Sequence, residues 1–145
     1  MQAQPKTTPA LTALAALLSA GLALGAPATA LAAGKAQIEI RTAAEHSEFA
    51  SQSADVSQVH MHLHHVINCL EGSGGKDFDA AAGDPCKGQG NGALNDLGIA
   101  AKQRATLETA LDLAKQGTKT ASYEEARKDA STVHELLRQA EETSG

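Results

Sequence analysis

In HMHLHHVINCLEG, residues 60–72, four histidines occupy six positions, and Cys69 follows four residues after the last of them. Neutral imidazole is a ligand for copper, zinc and nickel alike, and two imidazoles one turn apart on a helix can share one ion. His60 and His64 have that i, i+4 spacing, and two further histidines, His46 and His134, stand elsewhere in the chain. Whether such rings meet depends on the elements that carry them.

From Asp55 to Leu70 the apolar residues Val56, Val59, Leu63, Val66, Ile67 and Leu70 recur at three- and four-residue steps, which is one face of an amphipathic helix. Projected on that helix, His60 and His64 share a shoulder of the apolar face, whereas His62 and His65 fall on the outer face beside Cys69. Extending the same helix upstream brings His46 into phase with His64 but turns Glu45 and Glu48 toward the apolar side, so a break near Ser51 to Ser53 is expected. His134 occupies a similar shoulder on the last helix. The expected ligand set is therefore His60 and His64, joined by His134 and His46 at the bundle edge and completed or oriented by Glu45 or Glu135. His62 and His65 are expected to be surface or boundary residues, satisfied by water or a carbonyl.

Start and stop signals define the remaining elements. Asp55 with Gln58, and Ser122 with Glu125, read as capping boxes that open helices. A helical stripe runs from about Ala93 to Gln116 with Gly117 as its stop, and the last helix carries Ala126, Ala130, Val133, Leu137 and Ala140. Between residues 71 and 92, seven glycines and one proline exclude regular structure. Asp77, Asp79 and Asp84 in that loop lack the EF-hand spacing and its terminal glutamate, so they do not read as a calcium site. Only KAQIEIR near residue 38 hints at strand alternation. The fold class is all-α: an antiparallel three- or four-helix bundle, the fourth member being residues 38–51, with one long Gly-rich loop.

The chain opens with Lys6, the apolar run LTALAALLSAGLALGA and the small residues APATALAAG, the layout of a cleaved signal peptide over residues 1–32. Ala30 and Ala32 supply the small pair for cleavage after Ala32, with cleavage after Ala30 as the near alternative. A single domain, residues 33–145, would remain, soluble and either periplasmic or secreted. Its 11 bases and 17 acids give −6 with neutral histidines. That balance argues against nucleic acid and against anionic membrane surfaces, both of which call for clustered Lys and Arg. An exported protein with two cysteines, Cys69 and Cys86, is expected to form one disulfide, contributing about 3 kcal/mol by closing the loop. The rival arrangement is a Cys69 thiolate ligating metal beside His65.

Three function classes remain. The first is metal binding for storage, sensing or delivery of copper, zinc or nickel, with His60 and His64 as core ligands and binding weakened below about pH 6 as protons compete. Met61 is the sole methionine of the exported portion, which disfavours a Met-rich Cu(I) carrier. The second is non-covalent haem, with axial ligands from His60, His64 or His134, although few bulky apolar residues are available to cover it. The third is a non-catalytic interaction or structural module, with a protein partner or homodimer left open. Neither a nucleophile and base at a recognised spacing nor a paired ExxH motif is present, so enzymatic activity is not expected.

Overall fold

A computed structural model describes residues 1–2, 28–98 and 101–143, in which the protein is an all-helical bundle. The apolar run read as an export signal lies outside the described residues. The first helix, α1 (Ala28–Gln52), buries Ala36, Glu39, Ile40, Ala43, Ala44, Ser47 and Ala50. That burial repeats every three or four residues, so the strand-like KAQIEIR is helical. The apparent alternation arose from residues whose neighbours complete a helical face. The break expected near Ser51 to Ser53 is present, and the chain reverses there into α2 (Val56–Glu71). Asp55 caps α2 by accepting from the Gln58 N–H at 3.0 Å. The turn is pinned from the last helix: the Tyr123 hydroxyl donates to Ser53 O and Arg127 Nε to Ser51 O, both at 2.8 Å.

The stretch expected as one helix from Ala93 to Gln116 is divided. A single turn, α3 (Ala93–Asp96), is separated from α4 (Arg104–Gly117) by a segment containing Gly98 at φ 70°. That left-handed conformation ends a helix. Arg104 donates from the start of α4 to the carbonyls of Gly98 and Leu94, satisfying groups the break leaves open. Gly117, expected only as a stop signal, has a packing role: a Cβ there would lie 2.6 Å from Leu63 Cδ1. The end of α4 thus approaches α2 more closely than a side chain permits. Finally α5 (Tyr123–Glu142) starts at Ser122, whose hydroxyl accepts from the Glu125 N–H. Its stripe of Ala126, Ala130, Val133, Leu137 and Ala140 is buried as the spacing predicts.

In the bundle α1 packs between α2 and α5, and α4 packs against the same two helices from the other side. Leu63, Ile67, Leu70, Leu107, Val133 and Leu137 fill the centre, while alanines are most of the buried residues of α1 and α5. Among the described residues no helix is long and apolar enough to cross a membrane.

The glycine-rich loop after α2 is fastened rather than packed. Cys69 and Cys86 form a disulfide with Cα atoms 5.2 Å apart. Asn68, fully buried, donates to the carbonyls of Asp79 (2.8 Å) and Gly83 (2.6 Å) and accepts from the Asp79 N–H (2.8 Å). Glu71 accepts from the Asp77 N–H, and Glu39 of α1 accepts from the Gly92 N–H, both at 2.8 Å. Burial, reinforced by nearby Asp96 and Asp84, raises the Glu39 carboxyl to about 7 despite the opposing Gly92 N–H. The folded state therefore holds a proton on Glu39 that the unfolded chain releases near 4.5, and stability drains away as pH rises from about 4.5 through 7. Glu39→Gln keeps an acceptor for Gly92 and removes that ionisation. The variant is expected to gain stability relative to the parent between pH 5 and pH 8, measured as the difference in urea midpoints.

Candidate metal centre

The antiparallel α1–α2 hairpin sets residue 46 of the first helix beside residues 62 and 65 of the second. His46 Nδ1 lies 3.2 Å from His62 Nδ1 and 3.1 Å from His65 Nδ1. Ligand atoms of the three rings fall within 4.8 Å of one another, and all three side chains are half-buried. Two nitrogens bound to one tetrahedral ion at 2.0–2.1 Å stand about 3.3 Å apart. The closest pairs are thus already near the spacing that a shared ion imposes.

The tautomer of one ring is fixed by its surroundings. His65 Nε2 lies 2.7 Å from the carbonyl oxygen of Ala82 in the stapled loop. A carbonyl only accepts, so Nε2 carries the proton and the Nδ1 lone pair points toward His46. This is the outer hydrogen bond that orients and strengthens a metal-binding histidine. Phe49, one turn beyond His46 on α1, sets its ring edge-on to His46 and tilted to His62, at 5.6 Å between centroids in each case. It forms an apolar flank to the cluster although it is itself half exposed.

Burial and the crowding of the rings work against ionisation of His46 and His62. Burial first, then the proximity of His65 and His62, lowers His46 from 6.5 to about 4. Burial and then His65 lower His62 as well. Both rings are held in the neutral form that binds metal.

The other expected ligands are placed differently. His60 Nε2 donates to the Thr120 carbonyl at 2.9 Å, tying α2 to the α4–α5 turn. His134 Nδ1 donates to the Ala44 carbonyl at 3.0 Å, with Ser47 Oγ at 3.2 Å, joining α5 to α1. His64 Nδ1 is shielded, has no hydrogen-bond partner among the described residues and lies 3.7 Å from Asp79 Oδ2. Of the four residues His60, His64, His134 and His46, only His46 enters the cluster, and Glu45 and Glu135 remain exposed outside it.

The reversal has two causes. Because the chain turns back after Gln52, the phase that aligned His46 with His64 does not carry across. And α2 is covered on more than its apolar side: every residue from Val66 to Glu71 is buried, because the loop folds over the face that a single-stripe projection leaves to water. The usable signal was the i, i+3 pair His62 and His65, equal in helical logic to the i, i+4 pair His60 and His64. The rival role for Cys69 is removed, since its sulfur is bonded to Cys86. Asp77, from the loop, takes an ion pair from Lys115 at 3.0 Å.

Fold and site together define an all-helical bundle with a three-histidine cluster able to coordinate a metal ion. The chain matches no family model, no curated protein and no solved structure.

The lowered His46 has a measurable consequence for the metal-free protein. Unfolding raises its affinity for protons, so the unfolded chain binds a proton near 6.5 that the folded chain refuses until about 4. Stability is then lost as pH falls from about 6.5 to 4, and no further below that. His46→Gln is expected to flatten this part of the stability profile relative to the parent, read from urea midpoints at pH 7.5, 6, 5 and 4.

Proposed function

We propose that the protein is an exported binder of a divalent transition-metal ion, held by the Nδ1 atoms of His46, His62 and His65. One observation carries this reading: three imidazole nitrogens converge from two helices, with the ring of His65 locked by Ala82 in the tautomer that presents Nδ1. Imidazole suits Cu(II), Zn(II) and Ni(II) alike. Nitrogens this close belong on neighbouring corners of one ion. On opposite faces of a haem iron they would stand about 4 Å apart, twice a metal–nitrogen bond.

In the neutral metal-free cluster the Nδ1–H of His46 donates toward the lone pairs of its two neighbours. Metal uptake moves that proton to Nε2 and leaves three lone pairs on the ion. Three protein ligands on a half-exposed edge leave a further coordination position to water or to a ligand of an exchanging partner, which suits storage, sensing or delivery. Export is supported by the packing of α1, whose first buried side chain among the described residues is Ala36. Cleavage after Ala30 or Ala32 would fall within the first turns of α1, ahead of that residue. Intact-mass measurement of protein from the periplasm or medium is expected to place the first residue at Leu31 or Ala33.

The site is tested by elemental analysis after dialysis against a single metal salt. His46→Ala with His65→Ala is expected to abolish stoichiometric binding while leaving helix content unchanged. His60→Ala with His64→Ala is expected to retain the metal. The opposite pattern would transfer the site to the i, i+4 pair and contradict the proposal.

A further inference from the structure

The group that orients His65 belongs to the segment that the disulfide encloses. Ala82 lies between Cys69 and Cys86, in a stretch held to α2 by that bond and by the amide of Asn68 on Asp79 and Gly83. Cys69 itself stands one helical turn beyond His65 on the same helix. We propose that the thiol–disulfide state of Cys69 and Cys86 sets the metal affinity of the histidine cluster, acting through the position of the Ala82 carbonyl. The inference rests on reading His46, His62 and His65 as a metal centre, and it assigns that centre a redox control.

With the disulfide intact, the carbonyl of Ala82 sits 2.7 Å from His65 Nε2 and keeps the proton there. Without it, the Asn68, Glu71 and Glu39 hydrogen bonds and the Asp77–Lys115 ion pair must hold a glycine-rich segment whose chain entropy opposes them. The His65 ring is then free to turn and to place its proton on Nδ1, which removes a ligand. Loss of an outer-shell partner of a metal-binding histidine typically costs 10- to 100-fold in affinity.

Cys69 is fully buried and Cys86 nearly so, but Cys86 lines a cavity of about 430 Å³ together with Phe78, Asp84 and Lys87, the side from which a small dithiol would reach the disulfide. One thiolate of that dithiol attacks Cys86 Sγ, and Cys69 leaves as a thiolate and takes up a proton. The second thiol then attacks the mixed disulfide, closing the reductant into its own disulfide and returning Cys86 as a thiol. Two electrons and two protons pass from the dithiol to the cystine. Linkage requires the converse, with metal loading making this reduction less favourable by the same factor.

The test measures Zn(II) affinity by competition with a chromogenic chelator. It compares the oxidised protein, the protein reduced with dithiothreitol and exchanged anaerobically into reductant-free buffer, and the Cys69→Ser/Cys86→Ser variant, which cannot offer a thiolate ligand. The expected result is a loss of about tenfold or more in the serine variant, with ¹⁵N shifts of His65 changing from a single Nε2–H tautomer to a mixture. A smaller loss, or a gain, in a folded serine variant overturns the proposal. If that variant loses helix content by circular dichroism, the Cys69→Ala/Cys86→Ala variant, which likewise offers no thiolate, decides by the same criterion. Unfolding of both overturns it too, since the disulfide would then act through the whole fold and not through Ala82. Failure of the oxidised protein to bind Zn(II) at all would instead remove the metal centre itself, whereas tight binding that is indifferent to reduction would remove only the redox control.

Discussion

The fastening of residues 72–92 to α2 is the constraint on which the rest of this molecule depends. A glycine-rich segment has few side chains to bury and much conformational entropy to lose, so hydrophobic packing cannot order it. Here a covalent bond from Cys69 and a three-bond amide clamp from Asn68 do so, at two consecutive residues of one helix turn. Once fixed, the segment converts the far side of α2 from a solvent face into a buried one and presents a backbone carbonyl to His65. The Glu39 carboxyl group, reaching from α1 to the Gly92 N–H, secures the other end of the same segment.

The six histidines divide by partner. His60 and His134 each donate to a backbone carbonyl of another part of the fold and behave as cross-braces, while His64 lies against Asp79. His46, His62 and His65 instead turn Nδ1 atoms toward one another, and burial together with the neighbouring rings disfavours a proton on His46 and on His62. That resistance to protonation costs stability as acid is added and leaves the lone pairs of those two rings available to a cation. Net negative charge elsewhere in the chain favours the approach of that cation.

Much of the architecture was legible in the sequence. The capping residues Asp55 and Ser122, the stripe of α5, the reversal near Ser51 to Ser53 and the Cys69–Cys86 pairing follow from local rules that the tertiary structure respects. What could not be read is where a helix has a second buried face. Periodicity reports the face turned to other helices, and α2 is also covered by a loop whose path no periodic signal describes. That is why His62 and His65 were expected on the outer face and His60 and His64 in the site. The split of the Ala93 to Gln116 stretch escaped for a related reason: a glycine inside a helical stripe is compatible with either outcome, and here Gly98 adopts the left-handed conformation while Arg104 satisfies carbonyls left behind.

The central claim is that a bound ion would sit where the Nδ1 atoms of His46, His62 and His65 converge. Anomalous diffraction at the zinc edge from zinc-loaded crystals locates the ion directly. The account predicts a single strong peak about 2.0–2.1 Å from each of those three nitrogens. A peak beside His60 and His64, or no ordered zinc at the three-histidine cluster, would contradict it.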